Sequence, residues 1–340
     1  MTGNASDFVL YPEQFHLAVG ERIEQRVDAF NGALTTSGQG GAPRVAGLQL
    51  TARGIMGNEE RHTLYKRIPG LVQERDPFSN AAVTDSKLEH LEHVGIKLNR
   101  RIGPIKGTYD QFRKVGQTSG AFSIEIGRQT GDAIFQDYLN TALTAGIAAL
   151  RNTTTAGSNI YGARKAPGDT LDARHLIGGR RTMGDHMETA LLVMNSGSYF
   201  DLIESQTNAA AGDQLFQVSD VVLREGTPAT GGSPVLVTDS PSLDNGGGEN
   251  WILGLVPGGI TVTESEGRLI KSEDVFLEEN LGMRIQGEGA YNLDIMGFKW
   301  DTAAGGVNPN AAAAGLNTNW DMYATSHKHV HGYLIEAADA

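Results

Sequence analysis

The longest periodic segment of the chain is Ser119 to Arg151, SGAFSIEIGRQTGDAIFQDYLNTALTAGIAALR. Glu125, Arg128, Gln129, Asp132, Gln136, Asn140 and Thr144 recur at helical spacing and form a polar stripe. Ile134, Phe135, Tyr138, Leu139, Ala142, Leu143, Gly146, Ala149 and Leu150 form the apolar one. Thr118 or Ser119 suits the N-cap, and Asn152 followed by three threonines suits the stop. The pattern predicts one helix about 50 Å long at 1.5 Å per residue. A usual globular helix has roughly 11–12 residues. No heptad repeat runs through it, and it carries too many charges to span a membrane. A spine is expected rather than a pocket wall, with the apolar stripe packed on late strands.

Upstream, Pro12 to Phe30 is an amphipathic helix, with Phe15, Val19, Arg22-Ile23, Arg26-Val27 and Phe30 at helical spacing. Pro12 suits its first turn, Asn31-Gly32 ends it, and LTTSGQGGAPR follows as a linker. An isolated helix of this length is marginal in water, so it needs a surface, either its own body or a neighbour. Residues 48–105 alternate polar and apolar in short runs broken by Gly54, Gly57, Gly70 and Pro77. They predict a two-stranded excursion, out along Leu48–Ile55 and back through Glu92–Ile102, with LEHLEH open to a helical reading. Tyr109–Lys114 reads as a short helical turn into the spine.

Downstream, Thr170–Asp185 predicts a helix weakened by Gly178-Gly179, METALLVM (187–194) a buried strand, and Ser196–Glu204 another helix. Val218–Arg224, Pro234–Thr238, Trp251–Val256 and Ile260–Glu264 predict strands of an α+β body. Val275–Trp300 alternates with Met283, Ile285, Tyr291, Leu293, Ile295, Phe298 and Trp300 on the apolar phase, and Met322–Ile335 reads as the last strand. The segment between them, Asp301–Trp320, is small and polar and long enough to expect a role, taken as a variable contact.

Composition changes this picture in two ways. The 340 residues contain no Cys, which excludes disulfides and thiolate sites. Net charge is −12, unevenly spread: residues 1–116 carry 15 Lys+Arg against 13 Asp+Glu, and residues 117–340 carry 13 against 27. An acidic bulk argues against a nucleic-acid reader and suits a front part lying on the acidic body of another copy. Neither a signal peptide nor a membrane helix is expected.

Candidate chemistry is sparse. His327, His329 and His331 in HKHVH would share one face of a strand and could hold a zinc-like metal, or be an ordinary exposed strand face. His90 and His93 share a face only on a helix. GQGGAP, ATGGSP and DNGGGE match no phosphate-loop or dinucleotide pattern. Ser196 has no nucleophile elbow around it, and Glu59-Glu60 and Glu278-Glu279 are adjacent and would not face each other. No catalytic set, cofactor or metal site is assigned, and the chain is not read as an enzyme.

The wording VGIKLNRRIGPIKGTYDQFRKVG, AFSIEIGRQTGDAIFQDYLNTAL, ETALLVMNSGSYFDLIE and MYATSHKHVHGYLIEA, in this element order, resembles the major capsid protein of tailed bacteriophages with the Hong Kong 97-type fold. The resemblance covers most of the chain. It implies an α+β fold with an N-terminal arm (1–47), an extended loop (48–105), a peripheral domain (106–185 and 271–340, with spine helix 119–151) and an axial domain (186–270).

It further implies self-assembly into hexamers and pentamers of an icosahedral shell around double-stranded DNA, contacted without sequence specificity. A separate scaffolding protein, a portal protein at one vertex and a possible decoration protein would be partners. The shell would assemble in the host cytoplasm and end in the virion, with no membrane. Inter-subunit contacts are expected at Phe15, Arg22, Arg26, Arg61, Lys66, Arg67 and Arg75. The spine core is expected at Ile134, Phe135, Tyr138, Leu139 and Leu143, and its polar stripe should face the shell interior or a scaffold. Two alternatives are an encapsulin-like nanocompartment shell and a metal-dependent enzyme using the HKHVH histidines.

Overall fold

A computed structural model describes residues 12–36, 48–51, 59–65, 90–108, 119–152, 159–162, 171–186, 188–204, 215–218, 221–224, 233–246, 248–275, 282–324 and 326–338, with 78, 79, 82, 87 and 279. In chain order the elements begin with α1 (Pro12–Thr36), β1 (Leu48–Thr51), β2 (Glu59–Tyr65), β3 (His90–Thr108), α2 (Ser119–Leu150), β4 (Ile160–Tyr161) and α3 (Ala173–Met183). Then come β5 (Leu191–Met194), α4 (Ser196–Glu204), β6 (Leu215–Val218), β7 (Val221–Arg224), β8 (Val235–Val237), β9 (Glu249–Leu255), β10 (Ile260–Val275) and β11 (Gly282–Ile295). The chain closes with β12 (Phe298–Trp300), α5 (Thr302–Gly305), α6 (Ala311–Ala314), β13 (Trp320–Met322) and β14 (Gly332–Ala338).

The spine α2 has 32 residues, about 48 Å of helix. Its two halves differ. Residues 123–140 alternate exposed and buried positions, as an amphipathic helix should. Residues 141–150 are buried all round, Thr144 alone being half-buried. Ala142, Ala145, Ala148 and Ala149 keep that half thin enough for close approach on every side.

A seven-stranded sheet, in the order β4-β14-β9-β5-β8-β7-β6, lies against the spine. Strand alternation sorts its side chains. Leu191, Val193, Leu236, Leu253, Leu255 and Leu334 join the same core as Leu139, Leu143 and Leu150 of α2. Leu192, Met194, Val235, Ile252, Tyr333 and Ile335 turn the other way, onto Leu176 and Met183 of α3 and Tyr199 and Leu202 of α4. METALLVM is continuously apolar because β5 is covered on both faces. Asp172 caps α3, accepting from the His175 amide at 3.0 Å while His175 Nδ1 accepts from the Asp172 amide. Gly178 and Gly179 do not weaken this helix as expected. A Cβ there would lie 2.1 Å from the Tyr161 ring and 2.6 Å from Tyr333 and Ile335, so the two glycines seat β4 and β14.

A five-stranded sheet, β1-β10-β11-β3-β2, forms the second layer. β1 runs parallel to β10, and the other pairs are antiparallel. Met283 and Ile285 of β11 and Ile270 of β10 meet Phe15, Val19 and Ile23 of α1 in a smaller core. α1 also runs alongside α2, in the same direction. Gly127 sits against Ala18 and Gly131 against Arg22, where added Cβ atoms would meet the arm at 2.9 and 3.0 Å. The arm therefore docks on its own body.

Several boundaries differ from expectation. LEHLEH is strand, as the two-stranded reading expects, and not the helix left open beside it: it opens β3, with His93 opposite His62. Val218–Arg224 is not one strand: Val218 ends β6, and β7 begins at Val221 and pairs back on it antiparallel. β10 runs on to Val275 rather than stopping at Glu264, bulging between Glu264 and Leu269 to follow β11. Met322–Ile335 is broken by a 3-10 turn at His327–His329, capped by Ser326. Asp301–Trp320 is ordered into α5, α6 and a 3-10 turn. Tyr109–Lys114 and Thr118 lie outside the described residues. Among the described residues no helix is long and apolar enough to cross a membrane.

His331 joins the layers. It is fully buried, its Nε2 donates to the Gly146 carbonyl of α2 at 2.9 Å, and its ring meets Phe298 edge-on at 5.5 Å. Its own carbonyl accepts from Val256 and its amide donates to Met296. Burial pulls its pKa from 6.5 down to about 4, against the two backbone hydrogen bonds that raise it.

Two outcomes follow from this packing. Gly127→Val should cost the chain about 1–3 kcal/mol in thermal unfolding by forcing α1 off α2. An unchanged Tm would refute the close packing. The neutral His331 stabilises the fold fully above pH 6.5, and that contribution is lost as pH falls through about 4. The loss is about 3 kcal/mol at 1.36 kcal/mol per unit. Denaturant titrations at pH 7 and pH 4 should show His331→Gln with a correspondingly shallower pH dependence than the native chain.

Candidate assembly surface

Three of the residues expected at subunit contacts are held inside the subunit. Phe15 is 1% exposed, enclosed by the β10–β11 side chains. Arg22 forks onto Asp132, Nε to Oδ1 at 2.9 Å and Nη2 to Oδ2 at 3.2 Å, and Arg26 Nε reaches the same Oδ1 at 2.9 Å. Burial alone would raise the Asp132 pKa. The two guanidiniums outweigh it and hold the carboxyl below its usual value. Asp132, on the polar stripe assigned to the shell interior, receives the arm instead. Of the remaining stripe, Glu125, Arg128 and Gln129 are exposed, with Gln129 Nε2 donating to Glu125 at 3.1 Å.

Of the spine core positions, Phe135, Leu139 and Leu143 are buried in the main core and Tyr138 nearly so. Ile134 is half-buried, on the margin between that core and the arm. Phe135 meets Phe30 of α1 edge-on at 5.8 Å.

The basic residues of the excursion sit elsewhere. Arg61 is in β2, opposite Val94 of β3. Lys66, Arg67 and Arg75 lie outside the described residues. The β2–β3 pairing covers His90–Ile96, and β11 pairs with β3 only from Ile96 onward. The outer end of this hairpin thus has no third strand among the described residues.

Past Ile96, β3 becomes an edge of the described sheet. Asn99 and Arg101 are exposed, as are Arg284, Gln286 and Glu288 of β11 and Leu269 and Lys271 of β10. All of these but Arg284 border a shallow trough of about 540 Å³ across the three strands. Gly103 (φ +76°) and Pro104 interrupt that edge and blunt it against uncontrolled strand addition.

On the inner face, Arg100 binds Asp137 at 2.8 Å, Thr141 at 3.2 Å and the Tyr291 hydroxyl at 3.0 Å, and Tyr291 donates to Asp137 at 3.0 Å. Burial, then the Asp137 charge, push the Tyr291 pKa up and keep it a donor. Charge reading of the excursion misses this network. Alternation could have found it, since Leu98, Arg100 and Ile102 share one phase.

The HKHVH histidines do not form a set. The 3-10 turn takes His327 and His329 off the strand, while His331 points into the core. Among the described residues no group of three or more His, Cys, Asp or Glu is arranged to hold a metal ion. A paired carboxylate does occur, Glu249 with Glu336, bridged by Asn245 Nδ2 at 3.3 and 2.6 Å. Burial and then Glu249 raise the Glu336 pKa.

Asp132→Ala removes one partly exposed carboxylate from two arginines and should cost only about 1 kcal/mol globally. Its effect should be local. Limited proteolysis should cut α1 several-fold faster than in the native subunit, and an unchanged cleavage rate would show that the arm is held by apolar contacts alone.

The family model described as "Major capsid protein 13-like" matches residues 7–334. No curated protein matches the chain. A solved structure of Mycobacterium phage Adephagia is similar over 87% of this chain and 91% of its own, at 8% identity and a TM-score of 0.51, which shows a shared fold. The cyanophage Pam1 capsid asymmetric unit covers 84% of this chain and 86% of its own at 12% identity (TM-score 0.47). The capsid of Ralstonia phage GP4 covers 87% and 88% at 11% identity (TM-score 0.47). With the family model spanning nearly its whole length, the chain belongs to the major capsid protein 13-like family and is a shell-forming protein of the phage particle.

Proposed function

We propose that the chain assembles into hexamers and pentamers of an icosahedral shell that encloses the double-stranded DNA of a tailed phage. On this reading residues 1–47 are the arm, 48–105 the extended loop, 106–185 with 271–340 the peripheral domain, and 186–270 the axial domain that surrounds the ring centres. A separate scaffolding protein sets the curvature, a portal protein takes one vertex, and the DNA inside is contacted without sequence specificity. Assembly takes place in the host cytoplasm.

The observation that carries this reading is the β2–β3 hairpin. An isolated two-stranded ribbon is marginal in water and gains stability from a surface that its own described sheet does not offer. A neighbouring subunit is such a surface. Residues 44–114 carry 13 basic and 8 acidic side chains, and residues 117–340 carry 13 basic and 27 acidic, so the loop of one copy and the body of the next attract. Head-to-tail contacts of this kind close into rings. The acidic body also repels packaged phosphate, which keeps the inner wall from adhering to the genome.

Electron microscopy of the purified chain, alone and co-expressed with a scaffolding protein, tests the reading. Closed particles are expected; soluble monomers under both conditions would refute it. Reversing the charge of Arg61, Lys66, Arg67 and Arg75 together should lower particle yield by tenfold or more, with the loss partly relieved at high salt. Normal yield at low salt would remove the loop contact while leaving the shell intact.

A further inference from the structure

We infer that the segment Thr302–Trp320 is a rigid, uncharged contact surface for a second copy of this chain. The inference rests on the shell reading above. These nineteen residues form the longest run in the sequence without Asp, Glu, Lys, Arg or His. They are built rather than loose. Trp300 and Trp320 meet edge-on at 5.1 Å, and each indole donates to a carbonyl of the segment, Gly306 and Ala314, at 2.9 Å. Asp301 and Asn310 cap α5 and α6, accepting from the Ala303 and Ala313 amides at 2.9 and 2.7 Å. Asn319 Nδ2 ties the segment to the Ala313 carbonyl at 2.9 Å, and Asn317 Nδ2 ties it to the end of the spine, at the Arg151 carbonyl, at 3.1 Å.

What this scaffold presents outward is uncharged, with Asn308, Asn310 and Thr318 exposed among small and apolar side chains. Val307 is 52% and Leu316 54% exposed, and Ala303, Ala304, Ala311 and Ala312 are exposed with them. Every copy carries a net charge of −12. Two identical acidic bodies repel, and a charge-free patch is where they approach at least electrostatic cost. Interface cores are likewise depleted of charge, and a preordered surface loses little freedom on docking. A partner of opposite charge would instead be met by charged side chains, and this segment has none.

The chain has no cysteine, so single-cysteine variants report cleanly. Leu316→Cys, and separately Val307→Cys, would be labelled with a small maleimide as dissociated subunits and as shells assembled from this chain. Labelling at least tenfold slower in shells is expected. Equal labelling in both forms would overturn the inference even though shells form, whereas failure of the native chain to form shells counts against the function above. Protection in complete virions but not in shells of this chain alone would also overturn it, by assigning the surface to another virion protein. Leu316→Asp should leave the subunit's Tm within a few degrees and lower particle yield at least tenfold; normal yield would again refute the contact.

Discussion

Everything in this subunit depends on burying one half of one helix on all sides. Residues 141–150 of the spine lie between the seven-stranded sheet, the β10–β11 layer and the 302–320 segment. A helix covered this way needs small residues, and the alanines supply them. Gly146 marks the tightest point, where a Cβ would stand 2.6 Å from Ile260 and the carbonyl takes the His331 hydrogen bond. The other elements are placed by what this half leaves available. The amphipathic first half then offers one face to the arm and one to solvent.

Much of this was legible in the sequence. The spine's periodicity gave its extent to within a residue, because a 32-residue pattern with a clean stop has few alternative readings. The alternation of Met283, Ile285, Tyr291, Leu293 and Ile295 likewise marked the buried phase of β11. Where the reading failed, either a tertiary contact or a competing local cap had overruled the pattern. Gly178 and Gly179 weaken a helix in isolation but admit Tyr161, Tyr333 and Ile335 here. HKHVH alternates like a strand, yet Ser326 caps a turn that breaks the pattern. LEHLEH is no failure: it could also be helical, and pairing with β2 makes it the strand that the two-stranded reading expects.

The assembly residues were the least legible. Arg22 and Arg26 carry the same local signature whether they meet a neighbour or Asp132, 106 to 110 residues away. Nothing in the sequence around Arg22 names its partner. Arg100 shows the converse. Its neighbours in the alternation pointed inward, but its charge favoured an outward reading, and Asp137, Thr141 and Tyr291 together make the half-buried position tolerable.

The arm's docking has a consequence for how the chain is made. Arg22 leaves the ribosome 110 residues ahead of the Asp132 that receives it. At roughly 5–20 residues per second the first helix waits on the order of 5–20 s for its groove. β1 waits longer, since its only described strand partner begins at Ile260. Through that interval Phe15, Val19 and Ile23 have no site of their own to fill. A nascent subunit is therefore most vulnerable at its front end, and anything that shields that first helix during translation protects the yield of folded subunits.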